Sequence, residues 1–297
     1  MSERAGGVPA TPVPSAPHDD RRTRWLNGLF GLDGQIAVVT GGLGRLGTEY
    51  VGTLARAGAT VAVFDVAGSA SDLDPLTAGG HTIRVFRVDI TDRAATDNAM
   101  AQVASTMGTP TILVNNAGLG SSPAGANTEN GRFEDYPEVA WDAMIDSHLK
   151  GTLFVTQAFI RQYRLGGARQ TGSIINVSST YGLVTPDQSV YEYRRVGGAT
   201  YYKPVGYSVA KSGVLNFTRW LAEYGAPLGL RANTLVPGGV REAGHDPAFV
   251  AEYEKRTPLG RMANADEYNG AVLFLASRAS AYMTGAMVVV DGGWTAR

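Results

Sequence analysis

Short, nearly continuous apolar runs recur along the chain, each followed by a longer stretch in which apolar residues return every three or four positions. Residues 36–39, 60–64, 83–88, 111–114, 173–177, 231–236 and 287–290 have the length and Val/Ile/Leu content of strands. Residues 49–57, 91–107, 139–164, 207–224 and 266–276 have the helical period. A strand without polar alternation is buried on both faces, and a helix between two such strands is the crossover of a parallel sheet. The expected fold is α/β, with one doubly wound domain over residues 25–297, a parallel sheet and helices on both faces. No internal repeat or second linker interrupts the pattern.

The first 24 residues stand outside it. They hold Pro9, Pro12, Pro14 and Pro17, then the polar run 18–22, and too little apolar surface to offset the entropy of ordering. A disordered tail is expected there. The tail has no apolar secretory core, and Glu3, Asp19 and Asp20 argue against a transit peptide, so the expected compartment is the cytoplasm. Composition closes several other routes. The absence of Cys among 297 residues excludes a disulfide scaffold, thiolate metal sites and a thiol nucleophile. A net charge of −1 is no footprint for non-specific nucleic-acid binding. No apolar run reaches the length of a membrane span. His81 and His245 have no partner at metal-ligand spacing, so no metal is expected.

The first strand runs into Thr40-Gly41-Gly42-Leu43-Gly44-Arg45-Leu46-Gly47. Glycines between a strand and a helix permit a tight turn and let backbone amides approach a pyrophosphate at the helix N-terminus, the Rossmann-type arrangement. Asp65 closes the second strand, 18 residues beyond Gly47. A carboxylate there accepts hydrogen bonds from ribose hydroxyls and repels a 2′-phosphate, which favours NAD over NADP. Arg45 either meets a phosphate or lies on the helix surface, and the surface is favoured. Asp89 and Ile90 end the third strand, where an adenine edge would rest. Asn115-Asn116-Ala117-Gly118 ends the fourth, with an Asn able to lock neighbouring strands and small residues that leave room for a cofactor.

Tyr207 and Lys211 fall one turn apart on one helix face. A free phenol ionises near ~10 and is a poor base at neutral pH. A neighbouring ammonium and a nicotinamide's positive charge would favour its phenolate. Ser179, after the fifth strand, can hydrogen-bond a reacting oxygen.

Together these motifs resemble the short-chain dehydrogenase/reductase family over about residues 33–294, joined by Pro237-Gly238, Thr284-Gly285 and the closing Val290-Asp291-Gly292-Gly293. The resemblance implies hydride transfer between a nicotinamide cofactor and an alcohol or ketone. Tyr207 would be the acid/base, Lys211 would hold the ribose and lower the phenol's pKa, and Ser179 would orient the carbonyl. It implies cofactor contacts at Gly41, Leu43, Gly44, Arg45, Leu46, Gly47, Asp65, Asp89, Ile90, Asn116, Ala117, Gly118, Tyr207, Lys211, Pro237, Gly238 and Val240. It also implies a homotetramer or homodimer paired through the two long helices and the last strand.

Three departures stand out. Arg45 occupies a position where the short-subunit turn usually has Gly. His148 stands where the family's fourth catalytic residue is Asn; it either maintains a proton relay or only fills packing space. Ser179 and Tyr207 are 28 positions apart, far more than most members have.

The extra segment, about 188–205, carries four Tyr and three cations. It reads either as a substrate wall, with Tyr191 stacking on a ring and Arg194 or Arg195 gripping an anion, or as a subunit-interface loop. Similar insertions in the family point to a sugar, polyol or sugar acid as substrate. The alternatives are a 3-oxoacyl thioester reductase and a non-catalytic nucleotide-binding regulatory protein.

Overall fold

The structure, a computed structural model, describes residues 20–67, 71–120, 130–167, 171–195 and 201–296. Seven strands form one parallel sheet: β1 (Ile36–Thr40), β2 (Thr60–Asp65), β3 (Ile83–Arg87), β4 (Ile112–Asn115), β5 (Gly172–Val177), β6 (Leu230–Pro237) and β7 (Met287–Val290). Their order is β3-β2-β1-β4-β5-β6-β7. The expected α/β doubly wound architecture is therefore the observed one, with the order reversing between β1 and β4. Ligands of open α/β sheets bind where the order reverses, at the carboxyl ends of the strands.

Ten helices accompany the sheet among the described residues: α1 (Asp20–Phe30), α2 (Arg45–Arg56), α3 (Asp74–Ala78), α4 (Arg93–Thr106), α5 (Glu138–Ile145), α6 (Gly151–Leu165), α7 (Thr180–Leu183), α8 (Val205–Gly225), α9 (Pro247–Arg256) and α10 (Asn269–Ala276). Tyr50, Val51 and Leu54 of α2 and Val272 and Leu275 of α10 pack with Val39, Val63 and Val114 on one sheet face. Met100 and Val103 of α4, Phe159 and Tyr163 of α6 and Leu221 of α8 pack with Val38, Phe64 and Leu113 on the other. β4 is buried throughout, as its unbroken apolar run requires.

Several boundaries differ from expectation. Through residue 19 the expected tail lies outside the described residues, whereas 20–24 begin α1. The expected helix 139–164 is three pieces: α5, a π-helical turn at Asp146–Lys150, and α6. A π-turn inserts one residue into a helix and re-aims the side chains beside it. Here it carries His148, which is 3% exposed. The helix α2 starts at Arg45 rather than 49, since its first turn is the end of the Gly-rich loop. No helix among the described residues is long and apolar enough to cross a membrane.

Candidate active site

The Gly-rich turn is closed by contacts that only glycine allows. Gly41 has φ +61°, and a Cβ there would lie 2.8 Å from Ala117 Cα. A Cβ on Gly47 would fall 2.0 Å from the Gly41 carbonyl oxygen. Gly44 caps α2 with no side-chain hydrogen bond to the first-turn amides, the orphan donors that make a helix N-terminus an anion site. The Asp65 carboxylate accepts from the Leu43 and Ala67 amides, both at 3.0 Å, which ties the end of β2 to the turn. Arg45 forms an ion pair at 2.9 Å with Glu242, which itself lines the cleft. Leu46 lines the cleft.

Asn116 donates from Nδ2 to the Thr40 and Gly41 carbonyls, at 3.2 and 3.0 Å. The Thr40 hydroxyl accepts the Asn116 and Ala117 amides at 3.0 Å each. These bonds hold β4 beside β1 where the sheet order reverses. Gly118, Pro237, Gly238 and Val240 line the same cleft. Asp89 and Ile90 lie at the end of β3, but the Asp89 carboxylate accepts from Thr91 in a local turn, and Ile90 is a buried core side chain.

Ser179, Tyr207, Lys211 and His148 converge on one cleft of about 350 Å³ at the carboxyl edge of the sheet. Ser179 caps α7, its hydroxyl accepting the Tyr181 amide at 3.2 Å, and it also hydrogen-bonds the Tyr207 phenol. Lys211 donates to the Val177 carbonyl at 2.9 Å, and its Nζ is 5.8 Å from the Tyr207 ring centroid. Burial lowers Lys211 to about 8. For Tyr207 the expected direction is reversed in the chain by itself. Burial raises the phenol above its ordinary value, and the Ser179 hydrogen bond only partly opposes it. A phenolate stripped of water is costly, and the Ser179 hydrogen bond does not offset that cost.

The His148 imidazole meets the Tyr207 ring edge-on, with centroids 5.5 Å apart. Its Nε2 bonds the Leu119 carbonyl at 2.9 Å. A carbonyl only accepts, so Nε2 carries the proton and Nδ1 is the acceptor. Nδ1 is buried with no partner among the described residues. Burial, then the Lys211 charge, lowers His148 to about 3. It is therefore a neutral ring at any working pH, and a relay through it would be a neutral one.

The 188–205 segment divides. Residues 196–200 lie outside the described residues. Tyr191 is buried in the cleft wall, its hydroxyl 3.3 Å from that of Tyr181 and its ring stacked on Phe249 at 5.7 Å. Arg194 and Arg195 do not line the cleft. Arg194 lies over the Tyr201 ring at 4.2 Å. Arg195 lies over the Tyr202 ring at 4.7 Å and donates to the Tyr201 carbonyl at 3.0 Å. The expected anion grip is corrected accordingly: the aromatic residues of the same loop engage both guanidinium groups. Lys203 lines the cleft instead, 5.7 Å from the Tyr191 ring centroid and 5.8 Å from that of Tyr207. His245, Phe249 and Tyr253 also line it, from α9 and the loop before it. Nothing in the sequence marked these: Lys203 and His245 lie on loops, and the short helix α9, which sets Phe249 and Tyr253 one turn apart, was not expected from its apolar pattern. Among the described residues no cluster of His and acidic side chains could hold a metal.

A family model described as Enoyl-(Acyl carrier protein) reductase matches residues 45–295. Cis-4-hydroxycyclohexanecarboxylate dehydrogenase of Sinomonas cyclohexanicum is 33% identical over 266 residues, 88% of this chain and 97% of that protein. Galactitol 2-dehydrogenase of Rhizobium johnstonii is 33% identical over 276 residues, 90% of this chain and 97% of that protein. A crystal structure of gluconate 5-dehydrogenase from Burkholderia cenocepacia, in complex with NADP and tartrate, superposes with TM-score 0.78 at 28% identity. It covers 91% of this chain and 99% of that one.

Proposed function

Since the chain belongs to the short-chain dehydrogenase/reductase family and is an oxidoreductase, we propose that it transfers a hydride between NAD and the secondary alcohol or ketone of a sugar, polyol or hydroxy acid. One observation carries the reading: Ser179, Tyr207 and Lys211 share a single cleft beside the Gly-rich turn. The residues fit a nicotinamide dinucleotide. The α2 N-terminus has uncapped amides for a pyrophosphate, and Asp65 stands at the end of β2, where its carboxylate suits unphosphorylated ribose. The bound cofactor would supply or accept the hydride.

The chain's own residues handle the proton. In oxidation the substrate hydroxyl sits between Ser179 and Tyr207; the positive charges of Lys211 and of a bound oxidised nicotinamide would offset the burial of the phenol and favour its phenolate, whose oxygen takes the substrate's proton. In reduction the phenol returns it, while Ser179 holds the carbonyl oxygen in place. Lys211, fixed on the Val177 carbonyl, supplies positive charge beside the ring and holds the cofactor ribose. His148 packs against Tyr207 and offers the neutral Nδ1 acceptor to a proton chain. Galactitol and gluconate dehydrogenases among the relatives support the polyhydroxylated substrate class. The crystallised gluconate dehydrogenase holds NADP, so both cofactors belong in the assay.

Wild type and Tyr207→Phe are to be compared on sugar acids, polyols and acyl thioesters with NAD(H) and NADP(H). We expect turnover of the polyhydroxylated substrates with NAD. The variant should lose about 10²–10⁴ in kcat yet bind NADH, followed by fluorescence, nearly as wild type. Full activity in Tyr207→Phe would refute the mechanism. Turnover of thioesters alone would refute the substrate class.

A further inference from the structure

We infer that Lys203 sets specificity: its ammonium takes the carboxylate of a small hydroxycarboxylate whose carbinol oxygen lies at Ser179 and Tyr207. This names the substrate class for the cleft and rests on the reading just given.

The chain has four lysines, Lys150, Lys203, Lys211 and Lys255. Lys150 and Lys255 pair on the surface with Asp146 and Glu252. The other two stand in the cleft. Lys211 is held on the Val177 carbonyl, and Lys203 lies between the Tyr191 and Tyr207 rings. The Lys203 backbone is pinned. Its amide donates to Gln188 Oε1 at 2.8 Å, the Tyr202 amide donates to the Asn130 carbonyl at 2.7 Å, and Pro204 caps α8 directly after it. These bonds fix the point on the chain from which the Lys203 side chain enters the cleft.

The charges around it leave that end of the cleft positive. Glu242 is the one carboxylate among the described lining residues, and it is paired with Arg45. His245 accepts the Glu242 amide at Nδ1, at 3.3 Å, which leaves Nε2–H as a donor on the same wall. Burial lowers Lys203 to about 7, and a carboxylate bound beside it would favour the charged form. Arg194 and Arg195 lie on tyrosine rings. One ammonium with one neutral donor suits a monoanion better than a phosphate dianion, which is usually met by guanidinium clusters or helix amides. Tyr191, Phe249 and Tyr253 supply an apolar wall for the carbon frame between the two polar ends.

The test uses matched substrates: 4-hydroxycyclohexanecarboxylate with its carboxamide, and gluconate with glucitol and glucitol 6-phosphate. Wild type, Lys203→Met and Lys203→Arg are assayed with NAD and NADP, and their melting temperatures are compared. The wild type should prefer the acids. In Lys203→Met the acid-over-amide ratio of kcat/KM should fall 10–100-fold, with the loss in KM rather than kcat, and Lys203→Arg should recover most of it. Calorimetric binding of cyclohexanecarboxylate to the NADH-loaded protein should weaken in parallel. An acid preference that survives in folded Lys203→Met overturns the inference, as does a wild type that prefers the amide, the polyol or the phosphate. Those outcomes leave hydride transfer intact. A wild type that turns over none of these alcohols with either cofactor overturns the underlying reading as well.

Discussion

His148 is a buried imidazole with one hydrogen bond made and one acceptor left over. Its pKa is lowered to about 3 in the folded chain, against 6.5 when free. Between those values the unfolded chain binds a proton that the folded chain does not. The contribution to stability is therefore complete above 6.5 and declines as pH falls toward 3. The slope is about 1.4 kcal/mol per pH unit, or roughly 2 kcal/mol lost by pH 5. His148→Asn cannot titrate there, so its denaturant midpoint should fall less than that of wild type between pH 7 and pH 5. Parallel losses would show that the ring is not held neutral. At this scale Ser179, Tyr207 and Lys211 were legible in the sequence, because strand ends and a four-residue helical spacing dictate where side chains go. The cleft-lining position of Lys203 was not. Arg194 and Arg195 look like ligands in one dimension, but stacking on Tyr201 and Tyr202 turns them away, while Lys203 reaches the cleft only because of where its loop runs.

Elements were legible as far as periodicity dictates them. All seven strands appear where their apolar runs lie. The helix over 139–164 reads as continuous because a π-turn leaves the apolar spacing almost unchanged. α9 is short, with four charged residues among its ten, so its pattern is weak, and it is marked best by the Asp246 cap and Pro247. The π-turn and the segment after β4 fit each other closely. A Cβ on Gly118 would lie 2.1 Å from Cε1 of the buried His148 ring, so one of the two must shift. Gly118→Ala should therefore displace the imidazole from Tyr207 and cost about 1–3 kcal/mol from overpacking. Urea unfolding measures the cost, and the kcat of the variant measures the displacement. An alanine that leaves both unchanged would mean that the two elements are not tightly coupled.

Across the whole molecule the cleft exists because β4 and β5 are tied to each other and to the helices packed on them beneath it. The polar thread that does this is fully buried. Asn115 Nδ2 donates to Thr156 Oγ1 at 3.0 Å and to Asn176 Oδ1 at 2.8 Å, and Asn176 Nδ2 donates to Thr218 Oγ1 at 2.9 Å. It joins α6, β4, β5 and α8, the last of which carries both Tyr207 and Lys211. An asparagine at the end of β4 was visible in the sequence as a lock, but its partner Asn176 and the threonines on α6 and α8 depend on tertiary packing, which no local spacing encodes. Asn176→Ala removes the acceptor of Asn115 and the donor to Thr218 together and leaves buried polar groups without their bonds. The cost should be about 1–3 kcal/mol, or roughly 2–4 °C in Tm for each kcal/mol. The break lies between the strand that leads to Ser179 and the helix that carries Tyr207. kcat should consequently fall more than NADH affinity, which depends on the turn after β1. Calorimetry and steady-state kinetics on the same preparation separate the two effects. A variant that loses cofactor affinity while keeping its kcat would show that the thread supports the β1 side of the cleft instead.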